Sequence, residues 1–285
     1  MNRFVVITGA STGIGEATAL RLAGAGFTVF AGVRRAVDAE SLGSRGNGRI
    51  RTLVLDVTDS ATIAAAVAEV EAVVGETGLY GLFNNAGISG GVPLEFSTDE
   101  EWRQMLDVNV VGLVAVTRAF LPLVRKARGR ILFTGSIAGR TPVPFTATYA
   151  ASKAAVSALA DCLRVELRPW RIQVSLLEPG SIATEIWRKG LEEFDARQSA
   201  LPAEAHRLYG DVIPRLKEMT EKVAAAGIPA DRVAEVVESA LTARRARTRY
   251  IVGRDAKAQA VIRRLPDRAR DSLIARYIGL PDPED

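Results

Sequence analysis

The chain of 285 residues holds a single cysteine, Cys162, and a single histidine, His206. One thiol forbids an intramolecular disulfide, and one imidazole excludes both a histidine-built metal centre and a Ser-His-Asp triad. No metal is expected. Cys162 falls in an apolar helical pattern and is expected to be a packed thiol, and His206 to lie on the surface of a variable loop. No run reaches the roughly 18 consecutive apolar residues of a membrane span. The opening "MNRFVVITG" enters an apolar strand at once, without the apolar run and cleavage site of a signal peptide. A cytoplasmic location is the expectation. Proline- or glycine-rich linkers, repeats and low-complexity segments are missing too, so the chain reads as one domain. A strong overall charge is also lacking: the net is +4. The excess is local, because residues 243–270 hold ten Lys/Arg against two Asp. Two readings of this basic stretch stay open, a solvated helical face with locally paired arginines and a peripheral contact with an anionic surface. Nucleic acid is not expected as a partner.

Hydrophobic residues make up 48% of the chain, enough for one large core. Short β-branched runs alternate with helical patterns. The strands are "RFVVIT" (3–8), "TVFAGV" (28–33), "IRTLVLDV" (50–57), "LYGLFNN" (79–85), "GRILFTGS" (129–136), "RIQVSLLEPG" (171–180) and "RYIVG" (249–253). Between them, residues 61–76 carry apolar positions at helical spacing, and 98–127 read as one long helix with Thr98 as N-cap and Glu101 three residues on, the capping-box spacing. Strands separated by helices imply parallel pairing with right-handed crossovers. The fold class is therefore α/β: a Rossmann-type doubly wound, mainly parallel seven-stranded sheet with helices on both faces. Residues 1–253 form the dinucleotide-binding domain, with a substrate loop at about 181–229, and 254–285 a helical extension. In that extension Leu273, Ile274, Tyr277 and Ile278 fall at helical spacing and are expected to dock an apolar stripe.

"TGASTGIG" (8–15) lies between the first strand and the first helix. Gly9 permits a tight turn, Gly13 lets backbone approach a pyrophosphate, and Gly15 allows helix and strand to pack closely. The first-turn N–H groups, around Ser11, Thr12 and Ile14, then favour a phosphate. The spacing is G-x-x-x-G-x-G rather than G-x-G-x-x-G. Further on, "SIAGRTPVPFTATYAASK" places Ser136 at a strand end and sets Tyr149 and Lys153 one helical turn apart on one face. Taken alone, the last pair also describes a half-buried tyrosine beside a snorkelling lysine.

"TGASTGIG", "NNAG" (84–87) and "YAASK" (149–153), in this order, resemble the short-chain dehydrogenase/reductase family, and softer similarities point to its hydroxysteroid and retinol dehydrogenase-like members. The resemblance covers roughly residues 3–253. It implies Tyr149 as general acid/base, Lys153 lowering its pKa and bonding the nicotinamide ribose, Ser136 orienting the substrate oxygen, and Asn109 completing a proton relay. Asn109 can otherwise be a helix-interior asparagine held by tertiary contacts. The same resemblance assigns Asp56 and Val57 to adenine, Asn85, Ala86 and Gly87 to the adenosine ribose, and Pro179, Gly180, Ile182 and Thr184 to the nicotinamide end. A free phenol near pKa 10 is a poor base; a nearby ammonium and the oxidised cofactor's charge would bring it toward neutrality.

The second strand ends at Val33 with no carboxylate, and Arg34 and Arg35 follow, which favours NADP over NAD. Ile88, Val92, Leu94, Val143 and Phe145, with Ile186, Trp187, Leu191 and Phe194, would line a pocket for a small apolar alcohol or ketone. The family resemblance further implies a homo-oligomer, dimer or tetramer, built on the helices near 98–127 and 148–168. The expected activity is an NADP-dependent oxidoreductase; an NADP-sensing regulatory protein on the same fold is the alternative.

Overall fold

A computed structural model describes residues 3–185, 195, 197 and 199–280. Its strands are β1 (Phe4–Ile7), β2 (Thr28–Val33), β3 (Ile50–Val54), β4 (Gly81–Asn84), β5 (Arg130–Thr134), β6 (Gln173–Pro179), β7 (Ile182–Ala183), β8 (Ile228–Pro229) and β9 (Arg249–Val252). Seven of them form one sheet in the order β3-β2-β1-β4-β5-β6-β9, and every pairing is parallel. The strand order reverses between β1 and β4, so a crevice opens at the carboxyl ends of these two strands.

Both faces of the sheet are covered, which explains why its strands are near-continuous apolar runs. Along β1, Phe4 and Val6 point to one core and Val5 and Ile7 to the other. The first core is closed by α3 (Ser60–Val74), α5 (Leu113–Ala127) and α6 (Ala147–Glu166), through Ile63, Val70, Val116, Phe120 and Val156, and α4 (Asp99–Leu106) packs against α6. On the second face α1 (Gly13–Gly24) and the helix Ala230–Thr242 bring Leu22, Val233, Val237 and Leu241. Each large apolar side chain buried in these layers contributes roughly 1.5–3 kcal/mol. The buried guanidinium of Arg130 closes the end of helix 230–242 by donating to the carbonyls of Ala240 and Ala243.

The long helix expected over 98–127 starts as its sequence indicates, with the reciprocal Thr98–Glu101 capping box. It is not uniform: Asp107–Gly112 forms a π-helical turn between α4 and α5. Asp99–Ala127 is also long and apolar enough, by length and composition, to cross a membrane, a property that a search for unbroken apolar runs does not register. Here Leu113, Val116, Phe120, Leu123 and Val124 are buried against the sheet.

Two further expectations are corrected. Cys162 is exposed, because α6 turns Ser152, Lys153, Val156 and Ala160 inward, and a residue two beyond Ala160 lies on the opposite side. In the extension, helix Asp267–Ile278 buries Ile278 and half-buries Ile274, while Leu273 and Tyr277 stand 46% and 71% exposed; only half of the apolar stripe docks. The loop at 181–229 has paired ends, since β7 and β8 run parallel with Ile182 opposite Ile228. Within it His206 is exposed on helix Ala203–Tyr209.

Thr8, just past β1 and 1% exposed, accepts hydrogen bonds from Asn85 N at 2.9 Å and Ala86 N at 3.0 Å. These bonds fix the two sides of the crevice to each other. Thr8→Val keeps the shape and strands both amides, so stability is expected to fall by about 2–4 kcal/mol. Thermal unfolding checks it; an unchanged Tm would mean that both amides find other acceptors.

Candidate active site

The carboxyl ends of the strands bring the sequence-predicted residues together. α1 begins right after the glycine turn; Thr12 is its N-cap in extended backbone, with no side-chain hydrogen bond. The first-turn N–H groups, among Ser11 to Gly15, are thus left to whatever binds there. Gly9 and Gly13 have φ of +63° and +60°, the left-handed region where a side chain is strained. A Cβ on Gly15 would stand 2.8 Å from Asn85 Nδ2, and one on Gly13 would meet Thr184 Cγ2 at 3.0 Å. Asn85 donates through Nδ2 to the carbonyls of Thr8 and Gly9, both at 3.1 Å. The "NNAG" segment and the glycine turn are therefore one unit, with Thr184 against it.

At the adenosine end, β3 stops at Val54, earlier than its apolar pattern, so Asp56 and Val57 lie in the following turn. Asp56 Oδ1 accepts from Thr58 N at 2.9 Å and Thr58 Oγ1 at 2.7 Å. Partial burial works against its charge, but the two Thr58 hydrogen bonds and the Arg34 guanidinium hold this carboxyl below its ordinary value. Arg34 and Arg35 are both exposed. They differ in engagement: Arg35 forms a two-pronged ion pair with Asp38, at 3.0 and 2.8 Å, whereas Arg34 acts on Asp56 through charge.

The chemical centre lies at the ends of β5 and β6 and on α6. β5 stops at Thr134, and Ser136 caps a 3-10 turn, Ile137–Gly139, its Oγ accepting from Ala138 N at 3.1 Å. Ser136 also acts on the Tyr149 phenol, in the direction of a lower pKa. Lys153, 5% exposed, donates from Nζ to Thr134 O at 3.0 Å and lies 5.7 Å from the Tyr149 ring centroid. Among the described residues this is its one hydrogen bond, so two of the three N–H directions of a buried ammonium stay open. They face Gly87, whose missing Cβ would be 3.4 Å from Nζ and 3.1 Å from Asn109 Oδ1.

Asn109, 1% exposed, sits inside the π turn. Its Oδ1 accepts from Ile88 N at 2.8 Å, and its Nδ2 donates to Ile88 O at 2.9 Å and Ser152 Oγ at 3.0 Å. Ser152 passes the contact to the Tyr149 carbonyl at 2.7 Å. The wider turn is what lets one helical side chain reach both the crevice loop and α6.

The protonation states depart from the simplest expectation. Burial raises the Tyr149 phenol above its ordinary value, and Ser136 offsets only part of this. Burial also lowers Lys153, from 10.5 to about 8. The ammonium alone does not make this phenol acidic, because it donates to Thr134 O and lies over the ring rather than donating to the hydroxyl.

Beside this centre, Ile88, Gly91, Val92, Leu94, Ala147 and Thr148 line a pocket together with Ser97, Glu101, Gln104, Met105 and Arg197. Ile88, Val92 and Leu94 are where the sequence put them, but the wall is more polar than expected. Val143 and Phe145 are not in it. Phe145 has φ of +67° and stands edge-on to Tyr209, 5.6 Å between centroids. Ile186, Trp187, Leu191 and Phe194 lie outside the described residues. Pro179 ends β6 with Gly180 following, and Ile182 is buried in β7. Sequence reasoning missed Thr8, Thr134 and Ser152: Thr8 and Ser152 lie inside quoted motifs and Thr134 two residues before Ser136, and none has a spacing of its own to mark it.

These observations fit a dinucleotide: an uncapped helix start behind left-handed glycines at the switch point of a parallel sheet, and a buried ammonium with unspent donors beside a tyrosine at the end of a neighbouring strand. They define a nicotinamide-dependent oxidoreductase of the short-chain type. The chain belongs to the short-chain dehydrogenase/reductase family: the sequence model of the short chain dehydrogenase family matches residues 3–194. The chain is 38% identical over 284 residues to 17-beta-hydroxysteroid dehydrogenase type 6 of Bos taurus, covering 96% of this chain and 88% of that protein. It is 34% identical to the NADPH-dependent 3-dehydrocapnine reductase of Ornithobacterium rhinotracheale, with 95% of both chains covered. Among solved structures, a short chain dehydrogenase/reductase from Burkholderia phymatum in complex with NAD superposes with a TM-score of 0.74 at 25% identity, covering 92% of each chain.

Lys153 carries a measurable consequence. A folded-state value of about 8 against 10.5 means that its burial opposes folding at pH 7 by about 3 kcal/mol. The penalty is full below about pH 8 and fades as pH rises toward 10.5. Lys153→Met should therefore stabilise the cofactor-free chain by about 1–3 kcal/mol at pH 7, less at higher pH. Thermal unfolding across pH reads this, and a destabilised Lys153→Met would show that the Thr134 contact outweighs burial.

Proposed function

We propose that the protein is an NADP-dependent reductase of an apolar ketone, working reversibly on the corresponding secondary alcohol. When bound, the nicotinamide supplies or accepts the hydride. The observation that carries the reading is that Ser136, Tyr149 and the buried Lys153 are grouped at the carboxyl end of β5, with Lys153 Nζ bonded to Thr134 O and lying over the Tyr149 ring. Ser136 holds the substrate oxygen, and Tyr149 gives it a proton. A phenol with a raised pKa is protonated at neutral pH, which suits a donor to a developing alkoxide. Lys153, charged at pH 7 with a value of about 8, stabilises the phenolate left behind and directs its unspent N–H groups to the ribose hydroxyls. Asn109 holds the Ile88 backbone and Ser152 in place around the amine, supporting proton resupply.

The preference for NADP rests on Arg34, exposed at the end of β2 where no carboxylate stands, and on the NADPH dependence of the 3-dehydrocapnine reductase. Apolar substrates are supported by Ile88, Val92 and Leu94 in the pocket wall and by the steroid named for the bovine relative. A second copy of the chain is proposed to cover Val111, Val114 and Val165, 58%, 37% and 67% exposed on the long helices. Sedimentation equilibrium tests this, and a monomer at micromolar concentration would refute it.

With NADPH and a panel of apolar ketones, turnover is expected, and Tyr149→Phe should lower kcat by at least roughly 1,000-fold with cofactor affinity kept. Full activity in Tyr149→Phe would refute its role. Arg34→Glu should weaken NADPH by roughly 10–100-fold and spare NADH. Equal losses for both cofactors would place the 2′-phosphate elsewhere.

A further inference from the structure

Behind Ser136 lies a group of charges that the reaction does not itself use. Glu178, the penultimate residue of β6, is 1% exposed, yet it is a carboxylate at the end of an apolar strand. Its Oε1 forms an ion pair with Arg140 Nε at 2.9 Å and accepts a hydrogen bond from Arg249 Nη1 at 3.0 Å. Arg249, on β9, donates further to Ser157 Oγ at 2.9 Å and to the Asp161 carboxylate, both on α6. Three elements therefore meet at one buried oxygen, and Arg249 joins a fourth, α6, to them.

Each of these elements carries part of the site. Arg140 ends the 3-10 turn that Ser136 begins, and that turn is otherwise held by backbone bonds from Arg140 N and Thr141 N to Ile137 O, both 2.9 Å. Ser157 is one helical turn beyond Lys153. Glu178 directly precedes Pro179 and Gly180. The turn also presses on α6: a Cβ on Gly139 would lie 2.7 Å from the Lys153 carbonyl carbon. Such contact allows no slack, so the lateral position of the turn depends on what ties its far end.

We propose that Glu178 is a positioning residue of the active site: through Arg140 and Arg249 it locks the Ser136 turn, the Tyr149–Lys153 helix and the Pro179–Gly180 segment at one mutual distance. A buried carboxylate is a costly way to join strands, since an apolar side chain of similar volume is often as stabilising. What an ion pair adds is direction. The Arg140–Glu178 ion pair ties the far end of the turn to β6, and with it sets where Ser136 stands relative to the phenol and the substrate oxygen. The Glu178 Oε2 has no hydrogen-bond partner among the described residues, and burial raises the carboxyl against the opposing charges of Arg140 and Arg249. The residue is kept here at a cost to stability.

This inference rests on the reading of Ser136 and Tyr149 given above. Glu178→Gln removes the charge directly, but two unpaired guanidiniums threaten the fold, so the deciding variant is Arg140→Met. Arg140 is partly exposed, and its loss leaves Glu178 paired with Arg249. With NADPH and a ketone substrate, Arg140→Met should lower kcat roughly 10-fold or more, a displacement effect, with KM and cofactor Kd within about twofold and with Arg140→Lys restoring part of the rate. A second measurement needs no substrate: ultraviolet difference titration of Tyr149 against Tyr149→Phe. Ser136 is the contact that lowers this phenol, so Arg140→Met should shift its titration upward, in the direction of Ser136→Ala. An unchanged titration in Arg140→Met, where Ser136→Ala moves it, overturns the proposal. So does a loss in which kcat, KM and Kd worsen together with Tm, the mark of a scaffold alone. A wild-type chain that binds NADPH and turns over no ketone would instead sink the reductase reading, while the titration still decides this one.

Discussion

A single amine held out of water, with no carboxylate beside it among the described residues, is the constraint from which the rest of the site follows. Lys153 is 5% exposed and spends one N–H on the Thr134 carbonyl. Such an ammonium is tolerated only if backbone dipoles and a π face surround it. Thr134 must therefore end β5 with its carbonyl turned toward α6. Tyr149 must lie one turn back along that helix, and Gly87 must lack a side chain, since a Cβ there would touch Nζ at 3.4 Å. Residues distant in sequence are bound together by the solvation of one cation.

The π turn at Asp107–Gly112 answers the same need. A regular helix would present Asn109 to its own next turn. Widened by one residue, it reaches the Ile88 backbone with both ends of its amide, at 2.8 and 2.9 Å, and Ser152 with its remaining donor. Gly112 makes this possible, because a Cβ there would stand 2.7 Å from Val57 O. The helix thus sacrifices regularity at a buried point in exchange for a fixed floor under the crevice.

The sequence was legible where chemistry follows from spacing. Seven parallel strands, the Thr98 cap, the glycine turn and the Tyr149–Lys153 turn were all recoverable from pattern, because period and turn chemistry are local properties. What escaped depended on partners far along the chain. Glu178 reads as an ordinary strand-end carboxylate until Arg140 and Arg249 arrive from 38 and 71 residues away. Cys162 shares an apolar neighbourhood with core residues but not their side of the helix, and Leu273 shares a helix with Ile278 but faces away from it. Composition could not place Phe145 outside the pocket, since that follows from a left-handed backbone forced by the close approach of Gly91 to its carbonyl.

Burial acts on both groups of the proton-transfer pair and disfavours the charged form of each. It moves the amine down to about 8 and the phenol upward, so the resting pair is an ammonium beside a neutral phenol. That state is ready to protonate an oxygen and poorly prepared to deprotonate one. Ser136 acts on Tyr149 in the opposite sense. On the proposed mechanism, the balance between giving and taking a proton is therefore tuned at the Ser136 turn. A turn with that duty gains from a rigid tie at its far end, and Arg140 on the buried oxygen of Glu178 supplies one.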